Sequence, residues 1–173
     1  MKPARSADAG DALSRQRRWR DGRVITAWLA LIACIGLVLW AGSETFSAAS
    51  TSRFLRPLLM FLFPDLSSAE IWRLQVWIRK VAHAAEYALL ALLAFRALWL
   101  SFDTFLARLA AGALLLALAV ATVDEVRQRF LDLRTGALTD VALDGMGALL
   151  AVGIAVFYLR RKRPPRDAEP PGC

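Results

Sequence analysis

The chain has 173 residues, 57% of them hydrophobic, and carries 22 Lys and Arg against 15 Asp and Glu, for a formal net charge of +7. Its mean hydropathy of +0.44 is too high for an ordinary water-soluble domain of this size, so the composition indicates a membrane protein. The basic residues cluster in two tails, 1–23 and 161–173, beside apolar segments and without a base-reading motif. We therefore expect no nucleic-acid partner.

The first apolar segment, residues 24–42, contains no charged residue and has Trp28 and Trp40 near its ends. About 20 apolar residues suffice to cross a bilayer, and tryptophan favours the membrane interface. The segment therefore predicts a transmembrane helix that serves as a plain anchor. Cys34 lies inside it and Cys173 ends the chain, so we expect no disulfide.

The region after this span is mixed in character. Its apolar part, FLRPLLMFLFP at residues 54–64, is too short and too bounded by proline to cross, which predicts an interfacial or re-entrant segment. Ser67 and Glu70 then have the spacing of a capping box. A long helix is expected to begin there and to end near Leu100.

Three further apolar runs complete an all-α, four-transmembrane-helix bundle, which occupies residues 24–160. The four spans are predicted at residues 24–42, 77–100, 106–123 and 141–159. Glycine in membrane helices lets neighbouring backbones approach closely. This predicts helix contacts at four glycines: Gly112, Gly145, Gly147 and Gly153.

The distribution of Lys and Arg predicts the orientation. Four spans place both tails on the same side as the loop flanked by Arg96 and Arg108, and the positive-inside rule assigns that side to the cytoplasm. We expect a multi-pass protein of the bacterial inner (cytoplasmic) membrane with both termini cytoplasmic. Residues 43–76 and 124–140 then face outward.

Polar residues of three spans are predicted to meet at this outward side. Lys80, His83 and Tyr87 share one helical face with Glu86 beside it. Ionisable groups at membrane depth cost about 2.5–3.5 kcal/mol each, so they normally face a bundle interior or a wet cavity. The predicted polar site consists of Lys80, His83, Glu86, Tyr87, Asp124, Glu125, Gln128, Arg134, Asp140 and Asp144.

These motifs resemble the VanZ-like family of membrane proteins. RKVAHAAEYALLALLAFRAL, followed by DEVRQRFLDLRTGALTDVALDGMGALL, is similar to that family's Lys-x-x-His-x-x-x-Tyr helix, Asp-Glu-x-x-Gln-x-Phe, Arg-x-Gly turn and Asp-x-x-x-Asn-x-x-Gly. The matching positions are Lys80, His83, Tyr87, Asp124, Glu125, Gln128, Arg134, Gly136, Asp140 and Gly147. Asp144 departs from the pattern, because the family usually has Asn there. The resemblance implies a protein of the bacterial envelope, in a family named for a member linked to resistance against the glycopeptide antibiotic teicoplanin.

Several functions are compatible with this pattern. In the first, the site recognises the polar head group of a membrane lipid or a lipid-linked envelope precursor. His83, Glu125 or Asp124 would then act as acid or base, and Lys80, Arg134 or Arg127 would hold an anionic group. Under this hypothesis the protein also contributes to tolerance of glycopeptide-type antibiotics.

The alternatives are a metal-assisted enzyme acting on an envelope lipid, a non-catalytic scaffold or partner subunit whose polar residues form a structural network, and a proton-coupled transporter. A divalent metal would use His83, Asp124, Glu125, Asp140 and Asp144, although the paired histidines of common zinc helices are missing. Beyond that metal, no cofactor is expected. Enzymatic activity and oligomeric state are left open by the sequence.

Overall fold

The computed structural model describes residues 21–42, 48–130 and 138–162, and the side chains of residues 48–50, 128–130 and 138–140 lie outside that description. Within it the chain is all-helical, and four helices are long and apolar enough to cross a membrane. The prediction of a four-helix membrane fold is confirmed. In chain order the helices are α1 (Gly22–Ala41), α2 (Ala48–Leu62), α3 (Ser68–Ser101), α4 (Leu106–Phe130) and α5 (Leu138–Lys162).

Helix α1 begins at the N-cap Asp21, whose side chain accepts a hydrogen bond from the Arg23 backbone N–H at 2.9 Å. Its buried residues, among them Ala27 and Leu31, lie on one face that packs against α3. Near the start of α1, the Trp28 indole Nε1–H donates to the Ser101 hydroxyl at 2.9 Å. The start of α1 therefore lies beside the end of α3, and the two helices run antiparallel.

Helix α2 is too short to span a bilayer. Its 15 residues extend about 22 Å, against roughly 30 Å of hydrocarbon. Phe54 and Phe61 are each 83% exposed, and Pro57 lies inside the helix. The structure thus agrees with a non-spanning segment after the first span, and its position at the membrane surface stays a prediction.

Helix α3 is the central helix of the bundle and packs against α1, α4 and α5. The predicted capping box is present: the Ser67 hydroxyl accepts from the Glu70 N–H at 3.3 Å, and Glu70 Oε2 accepts from the Ser67 N–H at 2.8 Å. The helix has 34 residues, so it is about 51 Å long and exceeds the hydrocarbon thickness.

Helix α4 continues beyond the predicted third span. The third span was expected to end near Val123, followed by a polar stretch, but the helix continues to Phe130. Asp124 and Arg127 form an i, i+3 ion pair on this extension, which supports helical structure through a charged segment. The continuation keeps Asp124 and Arg127 on one helical face.

The predicted glycine contacts are partly wrong. A Cβ atom at Gly147 would lie 2.4 Å from the Ala84 carbonyl oxygen, and one at Gly112 would lie 3.2 Å from Leu98 Cδ1, so these two glycines do mark close helix contacts. A Cβ atom at Gly145 or Gly153 would have no neighbouring atom within 4 Å. Each residue turns a helix by about 100°, so residues two and six positions from Gly147 face away from its contact.

Candidate functional site

Polar residues of several helices meet at one end of the bundle. A Cβ atom at Gly42, just after α1, would lie 2.4 Å from Asp124 Oδ1 of α4, and Gly147 of α5 abuts α3 in the same region. We call the end that holds Gly42, Tyr87, Asp124 and Asp144 the polar end. The alternating direction of the four long helices brings these positions together.

Asp124 and Arg127 connect α4 to the end of α1. Asp124 is only 3% exposed, and its Oδ1 lies 3.7 Å from Arg127 Nη2. The same guanidinium donates a hydrogen bond to the Leu39 carbonyl oxygen. The last carbonyls of a helix have no partner inside the helix, so Arg127 satisfies one of those at the end of α1. We call this arrangement of Leu39, Asp124 and Arg127 the α1–α4 latch.

Tyr87 lies between the latch and α5. Its side chain is 2% exposed, and its hydroxyl hydrogen-bonds to the Asp124 carboxylate. The carboxylates of Asp144 and Glu86 are also close enough to interact with this hydroxyl electrostatically. Tyr87 therefore joins the acidic side chains of three helices.

A cavity of about 180 Å³ lies beside Tyr87, between α4 and α5. Asp144, which is 8% exposed, is an acidic residue in an otherwise mostly apolar lining. The lining residues are Tyr87, Leu114, Ala117, Leu118, Ala121, Asp144, Gly145, Ala148 and Leu149. The cavity thus combines a buried acid and a phenol with hydrocarbon side chains.

The depth of the cavity follows from helix geometry. Asp144 precedes Arg160, the first residue of the basic last turn of α5, by a distance of about 24 Å along the helix. Tyr87 is about 21 Å from Ser101 at the end of α3. Both distances fall inside a hydrocarbon core of roughly 30 Å. Asp144 and Tyr87 therefore lie at membrane depth, on the side of the polar end.

The model of the VanZ/LLP1 family matches residues 27–159 of the chain. The chain belongs to the VanZ/LLP1 family. The match extends from the first apolar span to the end of the fourth, and it confirms the resemblance seen in the sequence motifs. No curated protein and no solved structure matches the chain.

The structure separates the predicted site residues of this VanZ/LLP1 protein into two groups. Tyr87 and Asp144 line the cavity, whereas the other described site residues do not: Lys80, His83, Glu86, Asp124 and Glu125. The Nδ1 atom of His83 lies 3.7 Å from Glu86 Oε2, and both side chains are partly exposed. A distance of 3.7 Å is too long for a hydrogen bond. The two side chains form an ion pair when the histidine is protonated.

Some predicted positions fall outside the described part of the VanZ/LLP1 chain. Arg134 and Gly136 lie in the segment 131–137, and the side chains of Gln128 and Asp140 are likewise outside the description. Among the described residues, no group of three or more His, Cys, Asp and Glu lies close enough to hold a metal ion. The metal site that included Asp140 stays a prediction.

The sequence reasoning missed two features of this VanZ/LLP1 protein. It treated the first span as a plain anchor, whereas Arg127 and Asp124 contact the end of α1 at Leu39 and Gly42. It also missed the cavity. Small side chains such as Ala117 and Ala121 line this cavity, but in a membrane helix a stripe of small residues by itself indicates close packing rather than open space.

Proposed function

We propose that this VanZ/LLP1 protein is a bacterial inner-membrane protein of the cell envelope whose polar end faces outward. There it recognises the polar head group of a membrane lipid or lipid-linked envelope precursor, and through this binding it contributes to tolerance of glycopeptide antibiotics. One observation carries the proposal: Asp144, a buried acidic residue, lines a cavity at membrane depth.

The energetics of burial favour a binding role for Asp144. A charged side chain within a membrane helix costs about 2.5–3.5 kcal/mol on insertion scales, while an interhelical polar contact returns about 0.6 kcal/mol on average. About four to six average contacts of this kind would be needed to offset that cost. Ionisable groups at membrane depth therefore mark functional sites by default, and Asp144 borders a space that a ligand can enter.

The charge distribution supports the proposed orientation. The last turn of α5 carries Arg160, Arg161 and Lys162, at the end of the bundle opposite Asp144. Basic residues next to a span favour the cytoplasmic side. The polar end would then face the outer leaflet, where envelope precursors and glycopeptides are encountered.

The proposal is tested by antibiotic susceptibility. Expression of the native chain in a glycopeptide-susceptible bacterium should raise the minimum inhibitory concentration of teicoplanin, and Asp144→Leu should abolish the increase because it replaces the buried acid with an apolar side chain of similar size. Asp103→Leu makes the same chemical change at an exposed position between α3 and α4 and should retain it. Full tolerance in Asp144→Leu at an equal membrane level would contradict the proposal.

A second candidate function, a non-catalytic scaffold or partner subunit, is favoured by the α1–α4 latch. Asp124 and Arg127 tie helices together at the polar end, which is what a structural network would do. Under this reading Asp124→Asn should lower the thermal unfolding temperature of the purified protein in detergent, and Asp144→Leu should leave tolerance intact. The tolerance measurement on Asp144→Leu therefore separates the two functions.

A further inference from the structure

We infer that the cavity between α4 and α5 binds the hydrocarbon chain of a membrane amphiphile, which enters sideways from the lipid and presents a hydroxyl or ammonium group to Asp144. The inference rests on the proposed function and narrows its ligand class, because it leaves out lipids and lipid-linked precursors that carry a phosphate directly on the hydrocarbon chain. The ligand is an amphiphile whose hydrocarbon chain carries a hydrogen-bond donor at its polar end. An amphiphile with an anionic group at that position should bind more weakly.

The size of the cavity fits part of a hydrocarbon chain. Ala117, Ala121 and Ala148 line it, and their small side chains make the room. Its volume of about 180 Å³ lies below the roughly 300–1,000 Å³ of pockets for drug-sized ligands. Apolar cavities of about 150 Å³ hold a molecule such as benzene. The space therefore suits a short stretch of alkyl or isoprenyl chain and is too small for a whole glycan.

The polar groups of the cavity select a donor. A donor group, and an ammonium above all, favours the ionised form of Asp144, and an ionised carboxylate accepts hydrogen bonds and donates none. The Tyr87 hydroxyl is engaged with Asp124. Glu86 and Asp124 add negative charge close to Tyr87, which disfavours a phosphate or carboxylate at this point. A hydroxyl or ammonium group beside Asp144 is complementary to these charges.

The cavity opens towards lipid. Leu118 and Leu149 line it while remaining 45% and 57% exposed, and both lie within the candidate spans of α4 and α5. Asp144 and Tyr87 are on the side of the polar end, and Leu114 lies deeper along α4. A chain that enters between Leu118 and Leu149 can thus extend towards the membrane centre while its donor group meets Asp144.

Photo-crosslinking tests the inference on the purified full-length protein in phosphatidylcholine nanodiscs. Three probes share one diazirine-bearing alkyl chain and end in a sphingosine-type amino alcohol, a primary alcohol or a carboxylic acid. Mass spectrometry should locate the amino alcohol and the alcohol in residues 114–121 and 145–149. Their labelling should exceed that of the acid about tenfold, as expected for one hydrogen bond to a charged group. In Asp144→Asn this preference should disappear.

A matched pair of glycine variants tests the position of the chain. Gly145 lines the cavity and has open space where a side chain would begin, so Gly145→Leu should fill the space and remove the labelling. Gly153→Leu adds the same side chain to the same helix, also into open space, but outside the cavity. It should label as the native chain does.

Other results would overturn the inference. Equal labelling by the acid in the native chain would refute the selection of a donor, and equal labelling of Gly145→Leu and Gly153→Leu would refute the position. If Gly145→Leu does not fold, Leu118→Trp at the rim replaces it, with the exposed Leu115→Trp as control. If the amino alcohol and alcohol probes label the cavity selectively but the native chain gives no teicoplanin tolerance, the proposed envelope role is rejected. The inferred ligand class is then still supported.

Discussion

Gly147 is the single residue on which the α3–α5 contact depends most directly. The distance of 2.4 Å between its Cβ position and the Ala84 carbonyl oxygen is less than any real Cβ contact, and the obstacle is backbone that cannot move without moving α3. Any side chain at this position forces the two helices apart. The close approach of α3 and α5 therefore explains why this protein has glycine at position 147, where the family motif also has glycine.

Gly147→Ala should destabilise the bundle, because separating α3 from α5 loses packing along both helices. We expect a loss of about 1–3 kcal/mol in the free energy of unfolding, measured by denaturant titration of the purified protein in detergent micelles. Gly153→Ala is the control, since its Cβ meets open space and alanine favours helix. Equal stability of the two variants would show that α3 and α5 are farther apart than described.

At the scale of helices, the α1–α4 latch explains how the first span joins the bundle at the polar end. Helix α1 packs mainly along α3, and its last turn is held by Arg127 through the Leu39 carbonyl oxygen. Asp124 orients that guanidinium from 3.7 Å. One arginine thus hydrogen-bonds to a helix terminus and forms an ion pair with a buried acid.

Arg127→Ala should loosen the end of α1 without unfolding the protein. The lost hydrogen bond from a charged donor is worth roughly 1.5–3 kcal/mol, so amide hydrogens in the last turn of α1 should exchange faster by about tenfold or more. Hydrogen exchange with mass spectrometry would detect this change. Arg108→Ala, at an exposed position near the other end of α4, should leave exchange in α1 as in the native chain.

Helix α2 should lie shallowly in the membrane surface, because it is too short to cross and exposes Phe54 and Phe61. A spin label at Phe61→Cys, with Cys34→Ala and Cys173→Ser to remove the native thiols, should report an interfacial depth by electron paramagnetic resonance. A label at Leu150→Cys, on the exposed surface of α5, should report a position near the bilayer centre. Equal depths for the two labels would contradict a surface helix.

At the scale of the whole molecule, the four long helices should place both termini in the cytoplasm. The basic tails and the residues Arg160 and Arg161 favour that side. Green fluorescent protein fused after Cys173 should therefore fluoresce, and alkaline phosphatase fused at the same point should be inactive. The opposite pair of results would place the polar end towards the cytoplasm and reject the proposed outward-facing site.

The whole molecule also explains why the polar residues differ in role. Asp124 of α4 lies beside Tyr87 of α3, Arg127 of its own helix and Gly42 after α1, so it connects parts of the bundle. Asp144 lies at a cavity wall between α4 and α5, where an additional molecule has room. The sequence motif presents these acids alike, and their surroundings distinguish them.

Much of the architecture could be predicted from the sequence. Apolar length alone identified four helices that can span a membrane, and the spacing of Ser67 and Glu70 located the start of α3, because both features depend on local composition and on fixed helix dimensions. The rise per residue, together with the alternating direction of successive spans, predicted that Tyr87, Asp124 and Asp144 would lie at one end of the bundle.

Only the tertiary structure decided which faces meet. In lipid, the buried and the exposed surfaces of a helix are both apolar, so hydrophobic pattern does not reveal how each helix is rotated. That rotation places Gly147 at a backbone contact and Gly145 beside open space. It also places Arg127 against the end of α1 and Asp144 at a cavity. Composition and spacing therefore determined the membrane fold and the polar end, while interhelical rotation and distance determined the latch and the cavity.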